Sequence, residues 1–447
     1  MAYSQITYSQ FQAAISARLN DPTNRFYSAA EVQQYALETL QTWQAFSAFT
    51  QERKSITTVA GQFLYDLQAL IPDLAPTITD QALIVQIQRH LQEPTSATSW
   101  TGSEQFTYPQ VVQAVQRRRD KFIVETGLSQ ALTNMAMVSG PGNIELGDSM
   151  IDVVRATWKD LAGSHYTLFK TDQFALTGAS NNWFTGSGVP SDYTMVLATP
   201  LMIQVAPPPA ANGTLELLTI DSGTDLDPAS GATILNVPDD LVWVVKFGAL
   251  ADLFGQDGPG KDSDRQEYCE SRWREGIALA RLYNIIRFGY VLGSPAFIDS
   301  LAELDSFQPN WMNSPNGPTQ NLVASGSILG INPPPTAGLT ISLDITAKMP
   351  LPSLGTDFIQ VGKEVVDALV DYAQHLAMLK EGAVELQATV EQYKNLIRMA
   401  AVVNDRLRAN NNDFDALSDR SLREYHVAPR RKSDISKAEL DYKPDAV

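Results

Sequence analysis

Trp183, Val189-Pro190, Pro207-Pro208-Pro209 and Gly213 are followed, 128, 128, 126 and 125 positions later, by Trp311, Gly317-Pro318, Pro333-Pro334-Pro335 and Gly338. An alternating apolar run succeeds each series, Leu215 to Ile220 and then Leu339 to Ile345. Each run passes into a long helical pattern, over 239–284 and over 361–408. Landmarks at such fixed spacing are the signature of an internal repeat. The copies share landmarks rather than sustained identity, and with the glycines aligned the alternation is displaced by one residue. The expected fold class is therefore α+β: antiparallel helical hairpins with β-sheet or sandwich insertions, and an internal duplication. The expected divisions are 1–155, a helical region with short strands and a hairpin; 156–290 and 291–430, each a β part followed by an αα-hairpin; and 431–447, an extended tail.

Outward from the repeat, local chemistry places the other elements. Ser9 opens a helical pattern that Asn20-Asp21-Pro22 stops. Ser28-Ala29-Ala30-Glu31 has capping-box spacing, and Val32, Tyr35, Leu40 and Trp43 follow at helical period. Gln62 to Leu67 and Ile84 to Gln88 alternate and predict short strands. Thr107 caps a third helix with Pro109 in its first turn. Ala131 to Val138 and Asn143 to Trp158 flank Ser139-Gly140-Pro141-Gly142, which predicts a hairpin. The proline triplets cannot donate ladder hydrogen bonds and belong at an edge or between strands. Pro238-Asp239-Asp240 opens a helix to Phe254, and a second helix runs over about 262–284. The second copy repeats this over 361–380 and 383–408, with Gly382 at the turn. The apolar stripes of such hairpins need a sheet or a neighbouring subunit to cover them.

At 447 residues the chain exceeds one ordinary core. Its 44% apolar and 19% charged residues are those of a folded protein. A net charge of −17 argues against wrapping nucleic acid by phosphate neutralisation. It is compatible with a surface past which DNA slides without sticking. Residues 201–270 hold 12 acidic and 3 basic side chains, a local −9. The single cysteine, Cys269, excludes an intrachain disulfide. Met1 to Ser16 has no signal-peptide pattern, and no apolar run of about 18 residues occurs. The expectation is a protein made in a cytoplasm with no membrane segment.

Enzyme-like signals are weak. Gly255-Gln256-Asp257-Gly258-Pro259-Gly260-Lys261-Asp262 nearly spells a phosphate-cradling loop. Its context is helical rather than strand-then-helix, and Asp262 replaces the hydroxyl residue and would repel phosphate. His90, His165, His375 and His426 are scattered, so no metal-ligand spacing exists, and no cofactor is expected. No GxSxG elbow is present. Asp221, Asp225 and Asp227 lack the EF-hand glycine and glutamate and read as a solvated loop. Arg117-Arg118-Arg119 with Lys121 fans over a helix. These side chains could meet DNA phosphates, the acidic surface of a neighbour, or solvent and internal partners. They are candidate interface residues, as are Arg430, Arg431, Lys432 and Tyr442 of the tail. The candidate acidic channel or interface residues are Asp239, Asp240, Asp252, Asp257, Asp262 and Asp264.

Four passages carry a family resemblance. They are Phe26-Tyr27-Ser28-Ala29-Ala30-Glu31 with the helix to Trp43; Arg117 to Gly127; Ile151 to Trp158; and the series Trp183, Pro190 to Tyr193, Pro207-Pro208-Pro209 and Pro238-Asp239. In this order the chain resembles the head-to-tail adaptor (connector) proteins of tailed bacteriophages. The resemblance implies an antiparallel helical core with a β insertion, no catalysis, and a homo-oligomeric ring, usually of twelve. It also implies docking under the portal protein, continuation of the double-stranded DNA channel, attachment of a tail or nozzle protein, and a place in the virion neck. The chain is longer than many adaptors, so the second copy would be an added module. Duplication leaves open a six-fold ring in which one chain fills two positions. The rival reading is a tail or baseplate component whose duplicated β-modules bind a partner protein or a surface glycan. A third is an enzyme of unknown class.

Overall fold

The computed structural model describes residues 5–96, 98, 105–179, 182–196, 201–283 and 285–404. Helix α1 (Tyr8–Arg18) starts at a capping box on Thr7 rather than at Ser9. Helix α2 (Ala29–Ser47) starts where expected: Ser28 accepts from the Glu31 N–H, and Glu31 accepts from the Ser28 N–H at 2.8 Å. It stops at Ala48 in the left-handed region, φ 46°. Two strands follow, β1 (Gln51–Thr57) and β2 (Leu64–Asp66), then the short α3 (Leu67–Leu70).

A helical pair comes next, α4 (Asp80–Leu91) and α5 (Tyr108–Thr126). The strand expected over Ile84–Gln88 is therefore helix. Thr79 caps it, and Leu83, Ile84, Ile87 and Leu91 form a buried helical face that overrides the local alternation. Helix α5 has the expected Thr107 cap and first-turn proline, and ends at Gly127, φ 63°. Strands β3 (Gln130–Met137), β4 (Asn143–Glu145), β5 (Met150–Asp160) and β6 (His165–Lys170) precede α6 (Gln173–Ala179). Then come β7 (Asp192–Val196), β8 (Met202–Ala206) and β9 (Gly213–Asp221). After a 3-10 turn at Asp239–Leu241, α7 (Val242–Phe254) and α8 (Ser263–Arg281) form the first expected hairpin.

The rest of the described chain is β10 (Ile286–Val291), β11 (Ser294–Ser300), α9 (Leu301–Phe307), β12 (Asn321–Ser325), β13 (Ile328–Asn332) and β14 (Thr340–Thr346). A 3-10 turn at Lys363–Val365 leads into α10 (Val366–Glu381) and α11 (Ala383–Ala388), with helix again over 390–404.

Among the described residues the strands form two seven-stranded sheets, ordered β3-β9-β5-β6-β7-β8-β4 and β1-β14-β10-β11-β12-β13-β2. In chain terms, the first sheet is continuous in sequence. The second is split: residues 51–66 supply both its edge strands, and residues 286–346 supply the rest. We call the parts the inserted unit (78–283) and the split unit. The hairpin expected across Gly140 does not form, because β9 pairs with both β3 and β5, and β4 pairs with β8. The expected divisions at 155/156 and 290/291 fall inside β5 and β10, since sheet closure, not chain adjacency, sets the units.

The two sheets are wired alike. In each, one parallel contact (β6 with β7, β11 with β12) sits among antiparallel ones. A register slip recurs at matching places, between Val153 and Arg155 and between Ile286 and Phe288, and β5 has a further slip between Met150 and Asp152. Cis peptides precede the first proline of both triplets, Ala206-Pro207 and Asn332-Pro333. Each sheet has its own apolar core, and the helices of both units share a third.

Candidate functional site

The basic run of α5 divides by helical phase. Arg119 is fully buried, donating to Asp120 at 2.8 Å and to the Thr224 carbonyl at 2.8 Å. Arg118 is buried between Asp252 (2.5 Å) and Glu270 (3.0 Å), 5.0 Å from the centre of the Trp273 ring. Arg117 and Lys121 reach solvent, the first also pairing with Asp252 at 2.6 Å and the second 3.8 Å from Glu125. The fan predicted from the sequence thus has two open members and two that hold α5 to α7, α8 and the loop after β9.

The acidic candidates separate in the same way. The Asp239 carboxylate is enclosed, accepting from the Thr77 N–H at 2.8 Å and from Lys348 Nζ at 2.8 Å. Asp240 is buried beside it; burial, reinforced by the Asp239 charge, pushes its carboxyl up to about 8. Asp252 serves the two arginines. Asp262 caps α8, accepting from the Arg265 N–H at 3.0 Å and from Arg265 Nε at 2.7 Å. Asp257 and Asp264 are exposed, and Asp257 pairs with Lys261 at 2.7 Å. The glycine-rich loop 255–262 therefore joins two helices, with its lysine already paired and its Asp262 spent on a helix cap. Arg430, Arg431, Lys432 and Tyr442 lie outside the described residues.

The most elaborate chemistry lies where the two units meet. Lys246 of α7 bonds both oxygens of Glu38 on α2, with His90 Nε2 3.2 Å away, and all three are buried. Arg272 of α8 sits in an aromatic cage from both units: 3.6 Å from the Tyr393 ring centre, 4.7 Å from that of Trp243, and donating to Tyr372 Oη at 2.8 Å. Tyr268 Oη lies 2.6 Å from His375 Nε2, whose imidazole burial, with Arg272 nearby, drives down to about 3. At the sheet end, Arg155 of β5 donates to Asp305 at 2.7 Å and stands 5.5 Å from the Trp311 ring. Beside it a cavity of about 450 Å³ is lined by His165, Lys159, Glu216, Phe63 and Met312. Its charges pair with one another: Glu216 lies 3.3 Å from Lys159 and 3.5 Å from His165. Those partners hold its carboxylate low against the opposing effect of burial.

These junction residues did not stand out in the sequence, because their partners in the other unit are 100 to 208 positions away. One signal was available: Lys246 interrupts the apolar run Val242-Trp243-Val244-Val245-Lys246-Phe247, where a charge must be buried with a partner. Among the described residues, no group of three or more His, Cys, Asp or Glu is placed to hold a metal ion. Among those residues, no helix is long and apolar enough to cross a membrane.

The boundaries of the inserted unit decide the comparison. Residues 78–283 match the family model SU10 adaptor protein. This is a phage head-to-tail adaptor family. The match begins just before α4 and ends just after α8, so it takes in one complete sheet and the helices that flank it, and nothing of the other sheet. The Phe26 to Trp43 passage of the resemblance falls outside it. No curated protein matches the chain. The matched segment carries Arg117, Lys121 and all six candidate acids.

Proposed function

We propose that the chain is a structural ring subunit of the phage neck, docking under the portal, continuing the DNA channel and attaching the tail. The observation that carries this reading is the coincidence of the SU10 adaptor match with one intact structural unit. Composition supports the channel role. Net charge −17 on the chain, with Asp257 and Asp264 open to solvent, suits a wall that DNA passes without binding. Like charges repel over a Debye length of about 8 Å at physiological salt. Arg117 and Lys121 then serve protein contacts rather than phosphates. On this reading the protein is not an enzyme; the cavity at Arg155 has its charges spent on one another.

The test is a reconstruction of the assembled particle. It should show this chain as a ring between portal and tail, with a net acidic lumen. A lumen lined mainly by Lys and Arg, or density for the chain only at the distal tail, would defeat the reading. The second outcome would favour the tail or baseplate alternative, which the presence of two β-sheets in one chain supports.

A further inference from the structure

The similarity of the two units extends beyond sheet order. Ser28 and Thr107, both N-caps with capping boxes, are 79 positions apart (107 − 28), as are the left-handed helix ends Ala48 and Gly127. The paired residues Gln51 and Gln130, and Asp66 and Glu145, keep the same spacing. In the later halves, Trp183 Nε1 donates to Thr177 and Trp311 Nε1 donates to Asp305, each pair 128 positions from its counterpart (311 − 183).

We propose that the split unit is a second adaptor-type unit, and that its free sheet receives residues 173–179 and 182–185 of another copy of this chain. The template is the junction inside the chain. There, residues 301–313 of the split unit seat on the outer face of the inserted sheet: Trp311 against Arg155, Met312 3.0 Å from Arg155 Nη1, and Asn313 accepting from the His165 N–H at 2.6 Å. The two faces in this contact are different, so it is heterologous. One face of each kind is left over, and a heterologous contact repeated between copies closes into a ring or runs on as a filament.

The leftover faces have the properties this requires. Met312 is 4% exposed, but its counterpart Phe184 is 56% exposed, and Trp183 is half-buried where Trp311 is sealed. The receiving face on the split sheet is open as well. Leu218, covered in the inserted sheet, corresponds to half-buried Asp344, which holds the exposed Arg53 at 2.6 Å. The Arg53 guanidinium, 4.3 Å from the Tyr290 ring centre on one side, can stack its other face on the exposed Phe184 ring or the half-buried Trp183 indole. The helices repeat the pattern. Glu38, Thr42 and Ala45 on α2 are buried, whereas Arg117, Lys121 and Val124, 79 positions on, are open, Val124 at 53%.

This inference deepens the ring reading and rests on it for its place in the particle; the contact is tested separately. The experiment is thiol cross-linking of the full chain with a short bismaleimide, the native Cys269 being buried. Thr185 and Ser294 correspond to Asn313 and to Tyr166, the residue next to Asn313's hydrogen-bond partner His165 across the internal junction. The Thr185→Cys/Ser294→Cys chain should give a covalent ladder beyond dimer. Each single variant should give no cross-link, and a mixture of the two should stop at dimers. Phe184→Glu should weaken association by at least about tenfold while its circular dichroism stays that of the parent. Dimers from one single variant, no ladder, or unchanged association of Phe184→Glu would each overturn the contact. A ring seen below the portal without a ladder sinks this contact alone. A ladder from a chain found elsewhere in the particle sinks the neck assignment alone.

Discussion

Lys246 and Glu38 form a sealed ion pair that ties the inserted unit to the split unit across 208 positions of sequence. Neither side chain has solvent to fall back on. Breaking such a pair from one side strands a buried charge and costs about 3–5 kcal/mol, whereas replacing both partners with apolar groups is often near neutral. Glu38→Gln or Lys246→Met should each lower unfolding free energy by that order, and Glu38→Leu/Lys246→Met by much less. Denaturant titrations of the three variants decide it; equal losses in all three would show that the pair's charge is not the issue.

Arg272 should tolerate no simple replacement. Its planar guanidinium stacks on Tyr393 and donates to Tyr372, which an ammonium cannot reproduce. Arg272→Lys is expected to lose most of what Arg272→Ala loses, on the order of 2 kcal/mol or more in this desolvated setting. A lysine variant with parental thermal stability would refute the stacking role.

Asp240 gives stability an acidic preference. The folded carboxyl holds its proton up to about pH 8, while the unfolded one releases it near 3.8. Between these values the native state binds more protons, so this contribution is full below pH 3.8 and is lost as pH rises towards 8. The slope is at most about 1.4 kcal/mol per pH unit. Asp240→Asn removes it, so the melting temperature of the variant relative to the parent should climb from pH 5 to pH 8. A difference independent of pH would contradict the buried neutral acid.

If each chain fills two positions of the ring, native mass spectrometry of the assembled ring should give close to six times the 49.0 kDa chain mass. A mass twelve times that of the chain would mean that the split unit lies outside the ring rather than within it.

The sequence reveals local signals and hides non-local ones. The Ser28 and Thr107 caps, the Pro238-Asp239 helix start and the Gly382 break are set by neighbours within a few residues, and each appears where its chemistry predicts. The tryptophan and proline-triplet spacing marks real corresponding corners. What it cannot show is that Gln51–Thr57 closes the sheet of the second copy, because that pairing is with β14 and nothing local specifies it. The earlier 79-residue spacing was present too, but capping boxes and helix stops recur in any helical protein and do not announce a repeat. At the site, exposed Arg117 and buried Arg119 differ only in helical phase against a partner unseen in the sequence.

The split sheet has a consequence for the ribosome. Thr57 must wait for Thr340, 283 positions later, before β1 finds its partner. At roughly 5–20 residues per second that is on the order of 15–60 s, during which the nascent N-terminal strands stay unpaired while the whole inserted unit is synthesised. The inserted unit needs nothing from outside residues 78–283 to complete its own sheet. It can therefore fold first and present a finished surface on which the late-arriving half assembles. The chain carries its own scaffold between the two ends that need it.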